Sequence, residues 1–123
     1  MDEARAKLDD LRIKAEDGDP EAMFLLGIAY AEGRGVDRND TAAARWFHQA
    51  SRKGHSRAKT SMGYLYSIGR GVRQDSILGY VLLSQVAETG DNFAQDMLHR
   101  LEQKLSQEQL VEAKRRAFLR RQD

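Results

Sequence analysis

The chain has 123 residues, 41% of them hydrophobic, and its 20 basic and 19 acidic side chains leave a formal net charge of +1. That apolar fraction excludes a disordered chain, no apolar run is long enough to cross a bilayer, and the balanced charge selects no polyanionic partner. The absence of cysteine removes disulfides, thiolate nucleophiles and cysteine-based zinc sites. Residues 2–17 pattern as an amphipathic helix with Ala4, Leu8, Leu11 and Ala15 on one face. The opening Met1-Asp2-Glu3 is acidic, unlike the basic head of a secretory signal. This favours the cytoplasm, while a signal removed in processing would leave no trace.

Beyond residue 17 the sequence repeats with a period of 36. Gly18, Gly54 and Gly90 align, as do Ala22, Ala58 and Ala94. Gly27 meets Gly63, Tyr30 meets Tyr66, and Gly33-Arg34-Gly35-Val36 meets Gly69-Arg70-Gly71-Val72. Residues 15–50 and 51–86 share 9 identities, where chance gives about two. Each unit reads as two helices. Asp19 caps the first and Pro20 suits its first position, because the missing N–H costs nothing there. Ala22, Leu26 and Tyr30 form its apolar stripe, Gly33 ends it, and Val36 tucks back between the helices. Asn39 caps the second helix, which carries Ala43, Trp46, Phe47 and Ala50 and stops at Gly54.

The second unit repeats the plan with Ala58, Met62 and Tyr66, then Asp75 as cap, then Tyr80, Leu82, Leu83 and Val86. Gly27 and Gly63 lie inside helices, where glycine costs about 1 kcal/mol relative to alanine. Their recurrence predicts close helix approach. A third unit opens with Asp91, Phe93, Ala94, Leu98 and Leu101 but lacks the glycine turn. Ser106 and Gln109 fit a capping box for a last helix bearing Leu110, Ala113, Ala117 and Phe118, predicted to cover the end of the stack.

The pattern Ala-x-x-x-Leu-Gly-x-x-Tyr-x-x-Gly-x-Gly-Val, a cap, Ala-x-x-Trp-Phe-x-x-Ala and a glycine stands at Ala22 to Gly54. It resembles the Sel-one-like repeat family, relatives of tetratricopeptide repeats. The second unit departs with Met62 for leucine and Leu82 for tryptophan, and the third is a half-repeat. The resemblance implies an all-α, right-handed α/α solenoid of about two full repeats with helical caps at both ends. It also implies a scaffold or adaptor, often bacterial, that is not an enzyme. One domain is expected over 1–123: a capping helix 1–18, repeats 19–54 and 55–90, and a partial repeat with its capping helix 91–123.

By analogy with tetratricopeptide repeats, the first helices line a concave groove for a partner peptide or helix. Its expected lining is Glu21, Phe24, Ile28, Arg57, Thr60, Tyr64, Phe93 and Arg100, rich in the aromatic and arginine types that dominate interface energetics. The competing reading is that Phe24 and Tyr64 contact neighbouring helices. A carboxylate clamp is not expected, because its positions hold Phe24, Ile28 and Thr60. Arg45, Arg52, Lys53, Arg57 and Lys59 form a candidate basic patch, and Lys114, Arg115, Arg116, Arg120 and Arg121 make the last helix basic. Polyanion binding is the alternative function these suggest; solvated surface is the plainer one.

His48, His55 and His99 stand at no metal-ligand spacing, and no serine has a histidine and carboxylate that the sequence can place beside it. Gly33-Arg34-Gly35-Val36 follows no strand and precedes no Gly-Lys-Ser/Thr, so phosphate cradling is rejected. No cofactor, metal or membrane partner is expected, and nucleic acid belongs to the alternative reading, through the basic middle segment and last helix, rather than to the leading one. The chain is expected as a monomer or a weak homodimer through its stack ends.

Overall fold

The computed structural model describes residues 2–122, all helix and connecting turn. Seven helices follow in order: α1 (Asp2–Glu16), α2 (Pro20–Glu32), α3 (Asp40–Arg52), α4 (Ser56–Ile68), α5 (Ser76–Ala87), α6 (Asn92–Lys104) and α7 (Gln107–Gln122). Pairs α2/α3 and α4/α5 are the two repeat hairpins, and α1 packs on α2 as α3 packs on α4.

The caps form as the residue types demand. Asp19 accepts from the Glu21 and Ala22 amides, Asn39 from Ala42, Asp75 from Leu78 and Asp91 from Ala94. Ser106 and Gln109 close the reciprocal capping box ahead of α7. The turn inside each hairpin is one structure built twice. Gly33 and Gly69 both have φ of 70°, and Gly35 and Gly71 have 77° and 75°, values that β-carbon-bearing residues rarely adopt. The Asn39 and Asp75 amides then donate to the Tyr30 and Tyr66 carbonyls at 2.9 and 2.8 Å.

Helix approach follows the glycines. A β-carbon on Gly27 would lie 2.5 Å from two ring carbons of Phe47, and one on Gly63 would lie 2.8 Å from Leu83 Cγ. Ala22, Leu26, Ala43, Phe47, Ala50, Ala58 and Met62 form one core that joins the first repeat to the first helix of the second. Arg70 links the repeats from the turn: its guanidinium donates to Asp40 Oδ1 and to the Ala31 carbonyl, both at 2.9 Å. Two arginines, Arg38 and Arg70, hold the Asp40 carboxyl below its ordinary range.

The last helix departs from the hairpin plan by packing on α5. Ala113 and Ala117 are buried in a second core with Tyr80, Val81, Leu83 and Leu101. Phe118, placed by sequence on the apolar face, is 55% exposed instead. The two alanines already complete the contact, and Phe118 projects beyond it. Burial, then the charge of Glu102, pushes the Tyr80 phenol up to about 12. No helix among the described residues is long and apolar enough to cross a membrane.

Candidate functional site

Helices α2, α4 and α6, the first helices of successive units, meet around one cavity of about 290 Å³. Phe24 comes from α2; Arg57, Thr60, Ser61 and Tyr64 from α4; Asp91, Phe93 and Met97 from the start of α6. Five of the residues expected in the groove therefore share a single apolar concavity.

Their roles differ from the expectation at several points. Phe24 was expected to project as an anchor; it is 3% exposed and forms the floor. Its ring stacks on His55 at 4.6 Å between centroids and tilts against Phe47 at 5.7 Å. Position 24 faces the next repeat as well as the groove, and an aromatic ring there is consumed by packing. Thr60 is also buried, its hydroxyl donating to the Ser56 carbonyl at 3.2 Å. Tyr64 and Phe93 are the projecting aromatics, 42% and 66% exposed.

Glu21 stands beside the floor, bonded at 2.6 Å to His55 Nε2, while His55 Nδ1 accepts the Ala58 amide and caps α4. The cap leaves Nδ1 without a proton, so Nε2 carries it and donates to Glu21. Ile28 belongs elsewhere: it lines a separate depression with Leu8, Leu11 and Leu25 between α1 and α2. Arg100 does not line the cavity and is ion-paired to Asp96 at 3.1 Å on the surface of α6. Ser61, Asp91 and Met97 line the cavity and were not among the expected residues. Met97 falls four residues after Phe93, which is the signal that would have found it.

The basic residues divide. Arg45 and Arg52 are exposed seven residues apart on α3, Lys53 is the exposed residue after it, and Lys59 is half-buried on α4. None of these four makes an ion pair among the described residues. On α7 part of the positive charge is answered: Arg115 and Arg116 share Glu112, and Arg121 reaches Glu88 at 3.0 Å. The hydrogen bonds from Arg115 and Arg116 draw the Glu112 carboxyl down to about 2. Among the described residues no group of three or more His, Cys, Asp or Glu is arranged to hold a metal ion.

Comparison with known proteins gives the architecture its relatives. A 61-residue stretch, half of this chain, is 48% identical to the ERAD-associated E3 ubiquitin-protein ligase component HRD3A of Arabidopsis thaliana and covers 9% of it. A 68-residue stretch is 34% identical to the DAP3-binding cell death enhancer 1 of Mus musculus, 55% of this chain and 13% of that protein. The chain thus spans only a small part of these curated relatives. Among solved structures, c5321, a protective antigen of uropathogenic Escherichia coli strains with an SLR fold, superposes with a TM-score of 0.84 at 28% identity. That match covers 92% of this chain and 24% of c5321. A Sel1 repeat protein from Oxalobacter formigenes superposes at 0.71 with 35% identity, over 74% of this chain and 26% of the other. The family model described as the Sel1 repeat matches residues 20–55 and 56–91, more than half the chain and both glycine-turn hairpins. With its repeats matched and its helices superposing on an SLR fold, this chain belongs to the Sel1 repeat family.

Proposed function

We propose that this chain is a non-catalytic protein-interaction module that receives a partner peptide or helix against α2, α4 and α6. The observation carrying this reading is the convergence of three successive first helices on one apolar cavity, with Tyr64 and Phe93 projecting beside it. Large exposed aromatics at a concave site are the side chains that supply most binding energy at interfaces. At about 290 Å³ the cavity sits at the small end of ligand pockets. It accommodates an anchoring side chain better than a large cofactor. The names of the relatives, a ubiquitin-ligase component and a DAP3-binding protein, support an interaction role.

The test compares capture from lysate by wild-type protein with capture by a Tyr64→Ser/Phe93→Ser variant, both read by mass spectrometry. Serine at these exposed positions leaves the core intact, whereas substitution of the floor residue Phe24 confounds binding with folding. Proteins retained by wild type and lost by the variant support the cavity; equal capture refutes it. A second reading, polyanion binding on the α3 face, is favoured by one observation: Arg45, Arg52 and Lys53 are exposed and carry no counter-charge among the described residues. It predicts nucleic acid retention that falls steeply with salt.

A further inference from the structure

The charged groups around the cavity are unequally satisfied. Asp91 accepts the Ala94 amide as the cap of α6, and Glu21 is held by His55. Arg57 makes no side-chain hydrogen bond and no ion pair among the described residues, and its guanidinium carbon lies 4.7 Å from the centre of the Phe24 ring. Nor does Arg57 serve its own helix. It occupies the first turn of α4, where the positive end of the helix dipole disfavours a cation by about 0.3–1 kcal/mol. The equivalent residue of the first repeat is Glu21, the sign the dipole prefers. Stacking on the ring offsets this by about 0.5–1 kcal/mol, so the two effects cancel and fold stability gives no net reason for the arginine.

What stacking does supply is orientation. A guanidinium laid over a buried ring presents its donors in a fixed fork, the geometry that receives a carboxylate through two parallel bonds. Beside that fork lies the apolar wall of Tyr64, Phe93 and Met97.

We infer that the cavity recognises an acidic–apolar segment of a partner protein: one large apolar side chain enters beside Tyr64 and Phe93, and a neighbouring Asp or Glu carboxylate docks on Arg57. This deepens the proposed function and rests on it. The specificity arises because a partner lacking the carboxylate leaves Arg57 crowded by apolar contact without a counter-charge.

The experiment selects a random peptide display library on the 123-residue chain, then measures the selected peptides against wild type, Arg57→Gln and Tyr64→Ser/Phe93→Ser, each checked for helicity. The expected result is enrichment of Asp or Glu within one or two residues of a large apolar side chain. Affinity is expected to fall about tenfold in Arg57→Gln and beyond detection in the double variant. Peptides that require Tyr64 and Phe93 but lack acidic residues, and that bind Arg57→Gln unchanged, overturn this inference and leave the cavity reading standing. Peptides indifferent to Tyr64 and Phe93, or a library that yields no binder, overturn both.

Discussion

Replacing Gly27 with alanine should destabilise this protein, although the same change in an ordinary helix is stabilising. Propensity favours alanine by about 1 kcal/mol. Against it, the new methyl would lie 2.5 Å from Phe47 Cδ1 and Cε1, where carbon pairs rest at about 3.5–4.0 Å. The Phe47 ring is buried and packed against Phe24, so it has no free space to retreat into. Overpacking of this kind costs about 3 kcal/mol at the upper end of its usual range. The net loss is about 2 kcal/mol, a fall in Tm of about 8 °C for a domain of this size. Urea and thermal unfolding followed by circular dichroism measure it. A double-mutant cycle identifies the cause: Phe47→Leu makes room, so the double variant should lose at least about 1 kcal/mol less than the sum of the singles. A stabilised Gly27→Ala, or two losses that simply add, refutes the close-approach argument.

Four further outcomes are expected. Phe24→Ala should cost about 3–5 kcal/mol and lower Tm sharply, as for any core phenylalanine, whereas Tyr64→Ser and Phe93→Ser should each stay within about 0.5 kcal/mol of wild type. Arg70→Ala should destabilise by about 1 kcal/mol through loss of its bonds to Asp40 and Ala31, while Arg34→Ala, whose exposed guanidinium is ion-paired to Glu32, should be near neutral in the same melt. The Tyr80 phenol, raised to about 12 by burial and then by Glu102, contributes stability present below the ordinary value of 10 and lost as pH rises through 12. An absorbance titration should therefore show a late component from Tyr80, brought down in Glu102→Gln. The Glu112 carboxyl, lowered to about 2, contributes stability present above 4.5 and lost as pH falls towards 2. Arg115→Gln should raise its midpoint in an NMR titration.

The parts of the fold governed by local chemistry were legible in the sequence. Asp19, Asn39, Asp75 and Asp91 announce helix starts because a short side-chain acceptor satisfies an amide that the helix leaves free. Gly33-x-Gly35 and Gly69-x-Gly71 announce the turn because few other residues adopt its backbone angles. The site was less legible, because exposure is decided by neighbours that are remote in sequence. Phe24 reads as a groove residue by position, yet His55 and Phe47 close over it. Ile28 and Tyr64 are one period apart and face different surroundings, since α1 crosses the first and α6 approaches the second. The link made by Arg70 depends on a carboxylate remote in sequence: Asp40 stands against the second turn, whereas Ala4, one period earlier, stands against the first and offers Arg34 none. The placement of α7 on α5 follows from Ala113 and Ala117, small enough for close packing, but nothing in their spacing names the partner helix.

The most direct test of the interaction account maps a captured partner fragment onto the isotopically labelled chain by amide chemical-shift perturbation. The account predicts shifts clustered around Arg57, Tyr64, Phe93 and Met97, on α4 and the start of α6. Shifts confined to Arg45, Arg52 and Lys53, with the cavity unmoved, would contradict it and place binding on the α3 face.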